Sequence, residues 1–434
     1  MQQILKTTVY KNILFHTWNN LNNIFMKQIQ SLYVIVILAI FACVNLQGCK
    51  SSENDLIIVD FSQEYPLLNL KLSDIADISY IKLQGKDSAR FLSSAGSFEN
   101  SIYIDSNWLF ISDSSPYIKE GNTWMRKKSL AHLYKFDLKG NFIHSVVKPS
   151  NNEEGFNAIS LEYDIDPIKK HLYVGSRFET FIKCYDYNGN LLGTDSLGKL
   201  YSHTFLEGNH LVCYDNDSQL IIALSGRLED NGRTLSYYNL DSKTFQETED
   251  LKLGRPLSFT SSSREVSKGL EGHYISTLRS DTVFQVNTNL DIVPKFAIKR
   301  LYKDRDITVV PLVETQEYII FCNMQDEKSQ RDKTWEKANY IYIKRAQQIY
   351  KLAVCHKTSK EKSILGEELL EDKIYLQPNF LTRHNDVMVC VFKVPALKEN
   401  YNLLPDELKR ITDASRVDDN PVLMVMKFGK ALPK

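Results

Sequence analysis

The groups able to do chemistry in this chain are nine histidines, seven cysteines and 53 acidic side chains, and their spacing decides which chemistry is open to it. Catalytic zinc takes three converging protein ligands, and neither HExxH nor a histidine pair spaced for zinc occurs, so zinc hydrolysis lacks its sequence requirement. CxxC is absent as well. Cys184, Cys213, Cys322, Cys355 and Cys390 each sit in an apolar, strand-like run, where a thiol serves as a small buried hydrophobe. One disulfide in an oxidising compartment is the alternative use of these thiols. No metal or other cofactor is expected. With no GxSxG elbow and no Walker A loop, nucleophile-elbow hydrolases and phosphate-loop enzymes are disfavoured too. His132, His171, His210 and His273 open strand-like runs, while Asp113, Asp164, Asp166, Asp215 and Asp281 follow or interrupt them. Carboxylates converging on a channel would permit Ca²⁺ binding or acid–base catalysis. Each one singly reads as a turn former or strand end, so none is assigned a catalytic, metal or cofactor role. Arg126-Lys127-Lys128 beside Trp124, and Lys344-Arg345 after Tyr340–Ile343, read as solvated hairpin faces, with glycan or phosphate contact as the alternative, and the long insertions at 114–130 and 325–338 read as loops whose tips are candidates for a binding rim.

Cys49 stands in a different context. Residues 32–44 are 13 consecutive apolar positions, about 20 Å of helix at about 1.5 Å per residue, short for a hydrocarbon core of about 30 Å. Met26 and Lys27 precede this run and Leu46-Gln47-Gly48-Cys49 follows it, which is the charged, apolar, small-residue order of a secretion signal. The segment resembles the bacterial lipoprotein signal, and the resemblance implies that the Cys49 thiol takes a thioether-linked diacylglycerol before cleavage leaves Cys49 as the N-terminus. A short transmembrane anchor is the alternative. Residues 1–48 are then the signal, with 1–25 read as a misassigned upstream start ahead of a well-formed signal beginning at Met26; 49–55 are a lipidated tether, and 56–434 the β-propeller domain. Loss of residues 1–48 leaves 50 basic and 53 acidic side chains, net −3, without the basic field that nucleic-acid binding requires. The membrane is engaged through lipid, which needs neither a polybasic patch nor an amphipathic helix. This places the chain in the cell envelope, at the outer membrane, on either its periplasmic or its surface face.

The elements that would position any site are strands. Tyr134–Phe142 (YKFDLKGNF) recurs as Cys184–Leu191 (CYDYNGNL), and weaker copies appear around Asp241 and at Gln285–Asp291, giving a period of about 50 residues. Each copy is a strand, an Asp-x-x-Gly-like turn and a strand, with Asp bonding its own backbone and Gly or Asn accepting positive φ. Short runs rich in Val, Ile, Tyr and Phe lie between the turns: 101–104, 108–112, 171–175, 210–214, 274–278, 317–322, 340–343 and 388–392. Such spacing predicts an all-β fold, a six-bladed β-propeller with four-stranded antiparallel blades, seven blades being the next possibility and a pair of β-sandwiches the runner-up. One short helix is expected at Pro405–Ser415, and the apolar strand Val422–Phe428 is expected to pair with Leu56–Phe61 to close the ring.

In order along the chain, the lipobox, Leu72–Ile78 (LSDIADI), Phe136–Asn141 (FDLKGN), Ser280–Phe284 (SDTVF) and Asp419–Leu423 (DNPVL) resemble the six-bladed β-propeller lipoproteins of Bacteroidota, related in shape to TolB-like and NHL-type propellers. Where many relatives carry a Gly-Pro-rich loop, residues 147–156 read VKPSNNEEGF. The resemblance implies a fold and an address without a catalytic residue. It favours a module that binds an unidentified protein or glycan over an enzyme. The alternative is a hydrolase or lyase acting on carbohydrate or lactone from the central channel, and a scaffold within an envelope complex is the third reading.

Overall fold

The computed structural model describes residues 56–85, 102–113, 118–120, 123–125, 132–147, 161–175, 181–196, 213–215, 220–226, 233–247, 266–276, 280–287, 291–300, 307–325, 338–352, 386–417 and 419–432. The signal, Cys49 and the tether lie outside these residues, as do His210, Cys355 and Arg126–Lys128. Ile57–Lys434 forms one compact unit.

Three strands come before the first full sheet: β1 (Ile57–Asp60), β2 (Leu67–Leu68) and β3 (Ala76–Lys82). The chain then builds sheets from consecutive strands. The first sheet contains β4 (Ile102–Ile104) and β5 (Trp108–Asp113); a separate hairpin of β6 (Ile118–Glu120) and β7 (Thr123–Met125) interrupts it before β8 (His132–Asp137) and β9 (Phe142–Val147). The second sheet is β10 (Glu162–Asp166), β11 (His171–Gly175), β12 (Phe181–Asp186) and β13 (Leu191–Ser196). The third is β14 (Cys213–Asp215), β15 (Leu220–Gly226), β16 (Arg233–Asn239) and β17 (Thr244–Glu247). In the fourth, β18 (Val266–Gly269), β19 (Gly272–Ile275), β20 (Thr282–Asn287) and β21 (Ile292–Lys299) gain β1 as a fifth, parallel strand outside β21. In the fifth, β22 (Ile307–Glu314), β23 (Tyr318–Gln325), β24 (Asn339–Ile343) and β25 (Gln348–Leu352) gain β2 outside β25. A closing sheet joins the two ends of the domain, in the order β26 (Val387–Phe392), β27 (Val422–Phe428), β3.

The first strands β10 and β14 touch, as do β18 and β22, so the first strand of each sheet faces the axis and the fourth lies at the rim. Apolar cores fill the seams between sheets. Phe110 and Val146 meet Tyr163 and Leu172 between the first and second sheets, and Phe296 meets Val309 and Phe321 between the fourth and fifth. Ile320 meets Met388 and Met424 between the fifth and closing sheets, while Leu109 and Phe136 meet Val389 and Leu423 between the closing and first. This is an all-β propeller with four-stranded antiparallel blades in five sheets and, among the described residues, three strands in the closing sheet.

Two expectations are corrected here. The partner of Val422–Phe428 is β3, with Val422 opposite Lys82 and Phe428 opposite Ala76, whereas Ile57–Asp60 pairs in parallel with β21. Both N-terminal segments are apolar and extended, and side-chain pattern alone does not choose between them. The helices near the C-terminus are also more than one: Val394–Glu399 precedes Asp406–Asp413, with a 3₁₀ turn at Tyr401–Leu403 between them. A single-turn helix also occupies Leu72–Ile75.

The repeated turn proves to be a joint between sheets. Asp137 Oδ1 accepts the Lys139 and Asn141 amides at 2.9 and 2.8 Å, and Asp186 Oδ1 accepts those of Asn188 and Asn190 at the same distances. Partial burial pushes both carboxyls up, but the hydrogen bonds, led by those from Asn141 and Asn190, win and hold them below their ordinary pKa. Gly140 (φ 85°) and Gly189 (φ 89°) follow, each against the end of the preceding sheet's last strand. A Cβ on Gly140 would lie 2.1 Å from the Lys82 carbonyl oxygen, and one on Gly189 2.8 Å from that of Val146. The third copy centres on Asn239, whose Oδ1 accepts the Asp241 and Ser242 amides, rather than on Asp241 as the spacing suggested. There Lys243 takes positive φ and joins the preceding sheet through its side chain, 2.6 Å from Asp195. Asn287 holds the fourth copy by accepting the Asp291 amide.

Gly140→Ala therefore combines a left-handed φ with a backbone collision and is expected to destabilise by about 3 kcal/mol. Gly193→Ala, with nothing within 4 Å of its Cβ position, is expected to be neutral or slightly stabilising. Paired urea titrations of the two variants check this; equal midpoints would sink it.

Candidate functional site

Because neighbouring strands are antiparallel, every sheet has two ends of different character. At one end lie the first-to-second and third-to-fourth connections, of two to four residues each: 105–107, 138–141, 167–170, 187–190, 216–219, 240–243, 270–271, 288–291, 315–317 and 344–347. At the other end leave the second-to-third connections and the crossings to the next sheet. Those crossings span 148–161, 197–212, 248–265, 300–306 and 353–386. Loop length is where binding surfaces are built on a rigid scaffold, so the two faces are not equivalent.

The long-connection face is itself uneven. Second-to-third connections are short in the second and third sheets, at 176–180 and 227–232, but long in the first and fifth, at 114–131 and 326–338. Between the first and fifth sheets sits the closing sheet, whose β26–β27 excursion (393–421) carries two helices and leaves from the end that Lys82 and the 83–101 crossing also share. The two insertions singled out in the sequence thus flank the helical excursion on consecutive sheets. Leu397, Leu404 and Leu408 anchor that excursion in the core, and Lys82 Nζ clamps it with bonds to Asp419 at 2.9 Å and the Ala414 carbonyl at 2.7 Å. Lys398, Glu399, Asp406, Glu407 and Arg410 remain exposed on it.

Of the carboxylates named from sequence, the three with described side chains do not gather at one point: Asp164 and Asp166 share β10, and Asp281 precedes β20 in another sheet. Asp166 caps the 167–170 turn, accepting the Ile168 and Lys169 amides at 2.9 Å. Asp164 is buried mid-strand and accepts the Ile165 amide. Asp281 lies at the opposite end of its sheet, exposed, 3.9 Å from Arg300. Asp113 and Asp215 are described in backbone only, ending β5 and β14. Among the described residues no group of three His, Cys, Asp or Glu side chains is placed to hold a metal. His132 stacks on Tyr134 and His171 meets Tyr173 edge-on, while His273 is buried. Cys322 and Cys390 are core residues of the seam between the fifth and closing sheets, as their apolar runs predicted. Cys184 is half-buried, and burial pushes its thiol up to about 11, so it is an inert thiol at neutral pH.

The charged groups that matter to the scaffold escaped the sequence reading. Lys135 is 5% exposed, with Nζ 3.9 Å above the Trp108 ring and donating to the Tyr187 carbonyl at 3.1 Å. Burial lowers its pKa against the pull of Asp105 and Asp186. Such a desolvated cation–π contact is worth about 2 kcal/mol. Glu314, at the end of the wholly buried β22, accepts the Leu270 amide at 2.9 Å and the Tyr274 hydroxyl at 2.7 Å, and pairs with Lys344 at 2.8 Å. Lys344 therefore belongs to a joint, not to a ligand surface, whereas Arg345 is exposed on the turn. One signal was available in both cases: a single charge inside an otherwise apolar run.

No protein family model matches the chain, and no curated protein does. Among solved structures, an exported protein of Bacteroides fragilis NCTC 9343 is similar over 86% of this chain and 100% of its own, with a TM-score of 0.58 at 15% identity. A member of the DUF4221 family from Bacteroides vulgatus aligns over 64% of this chain and 86% of its own, at 8% identity and a TM-score of 0.36. The first likeness is one of fold. No helix among the described residues is long and apolar enough to cross a membrane.

Proposed function

We propose that the mature chain is a lipid-anchored, six-bladed propeller of the cell envelope that binds a protein or glycan on its long-connection face, with the closing sheet as the sixth blade. The observation that carries the reading is the asymmetry of the two faces: the first-to-second and third-to-fourth connections, of two to four residues each, lie at one end of the sheets, and long connections leave from the other end on three consecutive sheets. A scaffold held rigid by buried joints, with variable connections on one side, has the build of a recognition module. Its fold is similar to that of an exported protein, the lipobox at Leu46–Cys49 supports the anchor, and the lipobox with Leu72–Ile78, Phe136–Asn141, Ser280–Phe284 and Asp419–Leu423 supports the resemblance to Bacteroidota propeller lipoproteins.

The anchor is tested by Cys49→Ala. Lipid addition precedes cleavage, so the variant is expected to accumulate as an uncleaved precursor held by its apolar signal segment, to lack the diacylglycerol mass, and to lose at least about tenfold of its outer-membrane-fraction signal. Equal partitioning of variant and wild type would end the anchor reading. Binding is tested by replacing residues 114–131 with an Asn-Gly turn and comparing retention of envelope glycans and cross-linked protein partners. Unchanged retention in a variant of unchanged melting temperature would move the ligand off this face.

A further inference from the structure

We infer that Arg300, at the long-connection end of the seam between the fourth and fifth sheets, binds the carboxylate of an acidic saccharide; this rests on the recognition role of that face and names what it reads. The two ends of the seam are built differently. At the short-connection end Glu314 satisfies the Leu270 amide, the Tyr274 hydroxyl and the Lys344 ammonium. At the other end Ser267 Oγ, Ser276 Oγ, and Nε and Nη2 of Arg300 are buried without a hydrogen-bond partner among the described residues. Strand direction places them. β18 runs toward the 270–271 connection and β19 back from it, so Ser267 is second in β18 from the long-connection end, and Ser276 directly follows β19 there. Arg300 directly follows β21 at the same end.

The three also share a face. Tyr274, Val283, Phe296 and Ile298 pack in the core shared with the fifth sheet. Ser267 lies opposite Tyr274, while Ser276 and Arg300 stand two residues beyond Tyr274 and Ile298, so strand alternation turns all three toward that seam. Buried polar groups are as a rule paired, and the kind of group left over describes the partner it would take. Nε and Nη2 are the donors on one edge of a guanidinium, the fork that holds a carboxylate by two parallel bonds. Asp281 does not fill it: its Oδ1 stands 3.9 Å from Nη2, beyond hydrogen-bond reach, and its side chain is 79% exposed. The Arg300 side chain keeps 15% of its surface exposed, so it is reached from solvent. A carboxylate alone would leave the serines unused. Hydroxyls both donate and accept, so Ser267 and Ser276 match the ring hydroxyls of a sugar beside its acid group better than they match an Asp or Glu side chain, which only accepts. Admitting such a residue breaks no hydrogen bond of these side-chain atoms and gives each a partner.

The test is calorimetric titration of the full-length protein in detergent with a glucuronate disaccharide, its methyl ester and a Glu-Glu dipeptide with blocked termini. The acid is expected to bind at least about tenfold more tightly than the ester or the dipeptide. Arg300→Gln is expected to lose at least about tenfold in affinity for the acid while its melting temperature stays at or above that of wild type, because the buried edge holds no bond that the fold would lose. A structural role would lower the melting temperature instead. Asp281→Asn, at an exposed site, removes a negative charge beside the fork and is expected to tighten binding of the acid about threefold, a readout that stands even where Arg300→Gln fails to fold. Equal binding of acid and ester, equal affinity of the acid for wild type and either variant, or no binding at all overturns the inference. Arg300-dependent binding of the dipeptide with none of the sugar also overturns it, by making the ligand an acidic peptide. The recognition face fails separately: envelope retention lost on replacing residues 114–131 but untouched by Arg300→Gln would keep the face and remove this site alone.

Discussion

A chain ending at Pro421 is expected to have no cooperative unfolding transition. The lost strand β27 carries Val422, Leu423, Met424, Val425, Met426 and Phe428, all buried, and they serve two seams at once. Met424 and Met426 pack toward the fifth sheet with Ile320 and Met388, while Leu423 and Val425 pack toward the first with Leu109 and Phe136. At about 1.5 kcal/mol or more for each buried side chain, the six contribute about 9 kcal/mol at the least, which is the whole stability of an ordinary domain. The consequence exceeds that sum, because β27 lies between β26 and β3 and its loss leaves β3 without a partner in the closing sheet. Thermal and urea melts followed by near-ultraviolet circular dichroism check the expectation, against a control chain ending at Lys430. A truncated protein that still melts in one sharp transition would show that the remaining seams suffice.

The same strand shows how far the sequence can be read. Its apolar character and its place at the end of a ring were legible in VLMVMKF, and so were most strand positions, because alternation and turn residues are local signals. Its partner was not. Ile57–Asp60 and Ala76–Lys82 carry the same kind of pattern, and the choice depends on a path that lays β1 along the fourth sheet and β2 along the fifth before β3 reaches the closing sheet. The repeated turn was legible as a turn through Asp137, Gly140, Asp186 and Gly189, and its period pointed to a propeller. Its second role, seating each glycine on the preceding sheet's backbone, involves residues about 40 to 60 positions away and leaves no local mark. The candidate face was legible in part. Insertions at 114–130 and 325–338 were visible as polar, mixed-charge stretches, but only topology places them on one face, on either side of the 393–421 excursion. The helix Val394–Glu399 was missed because Pro395 reads as a breaker, though proline is tolerated in a first turn.

Glu314 makes the largest single-residue prediction, because it is a buried charge whose partners come from two sheets. Its side chain is 5% exposed, and three groups depend on it: the Leu270 amide and Tyr274 hydroxyl at the tip of the neighbouring hairpin, and the Lys344 ammonium of its own sheet. Glu314→Ala leaves a buried phenol, an amide and an ammonium without their acceptor, and breaking a buried pair from one side costs about 3 to 5 kcal/mol. Glu314→Gln keeps one carbonyl acceptor but turns the other oxygen into a donor and removes the charge facing Lys344, so about half of that loss is expected. The neighbouring glycine gives an independent handle. A Cβ on Gly269 would stand 2.7 Å from Glu314 Oε2 and 2.8 Å from the Tyr274 ring, so Gly269→Ala pushes against the same joint. In the Glu314→Ala background that collision is relieved, and the double variant is expected to be less destabilised than the sum of the two singles by about 1 kcal/mol. Tyr274 reports on the joint directly: burial, and then the charge of Glu314, hold its phenol well above the ordinary value. A phenol with a raised folded-state pKa stays protonated above pH 10 while the unfolded chain ionises, so it draws stability down as pH rises beyond that point. Removing Glu314 takes away part of the shift, and the loss of stability between neutral pH and pH 11 is expected to be smaller in Glu314→Ala than in wild type. Strict additivity, or an unchanged alkaline slope, would mean that the two sheets are held together by their apolar seam alone.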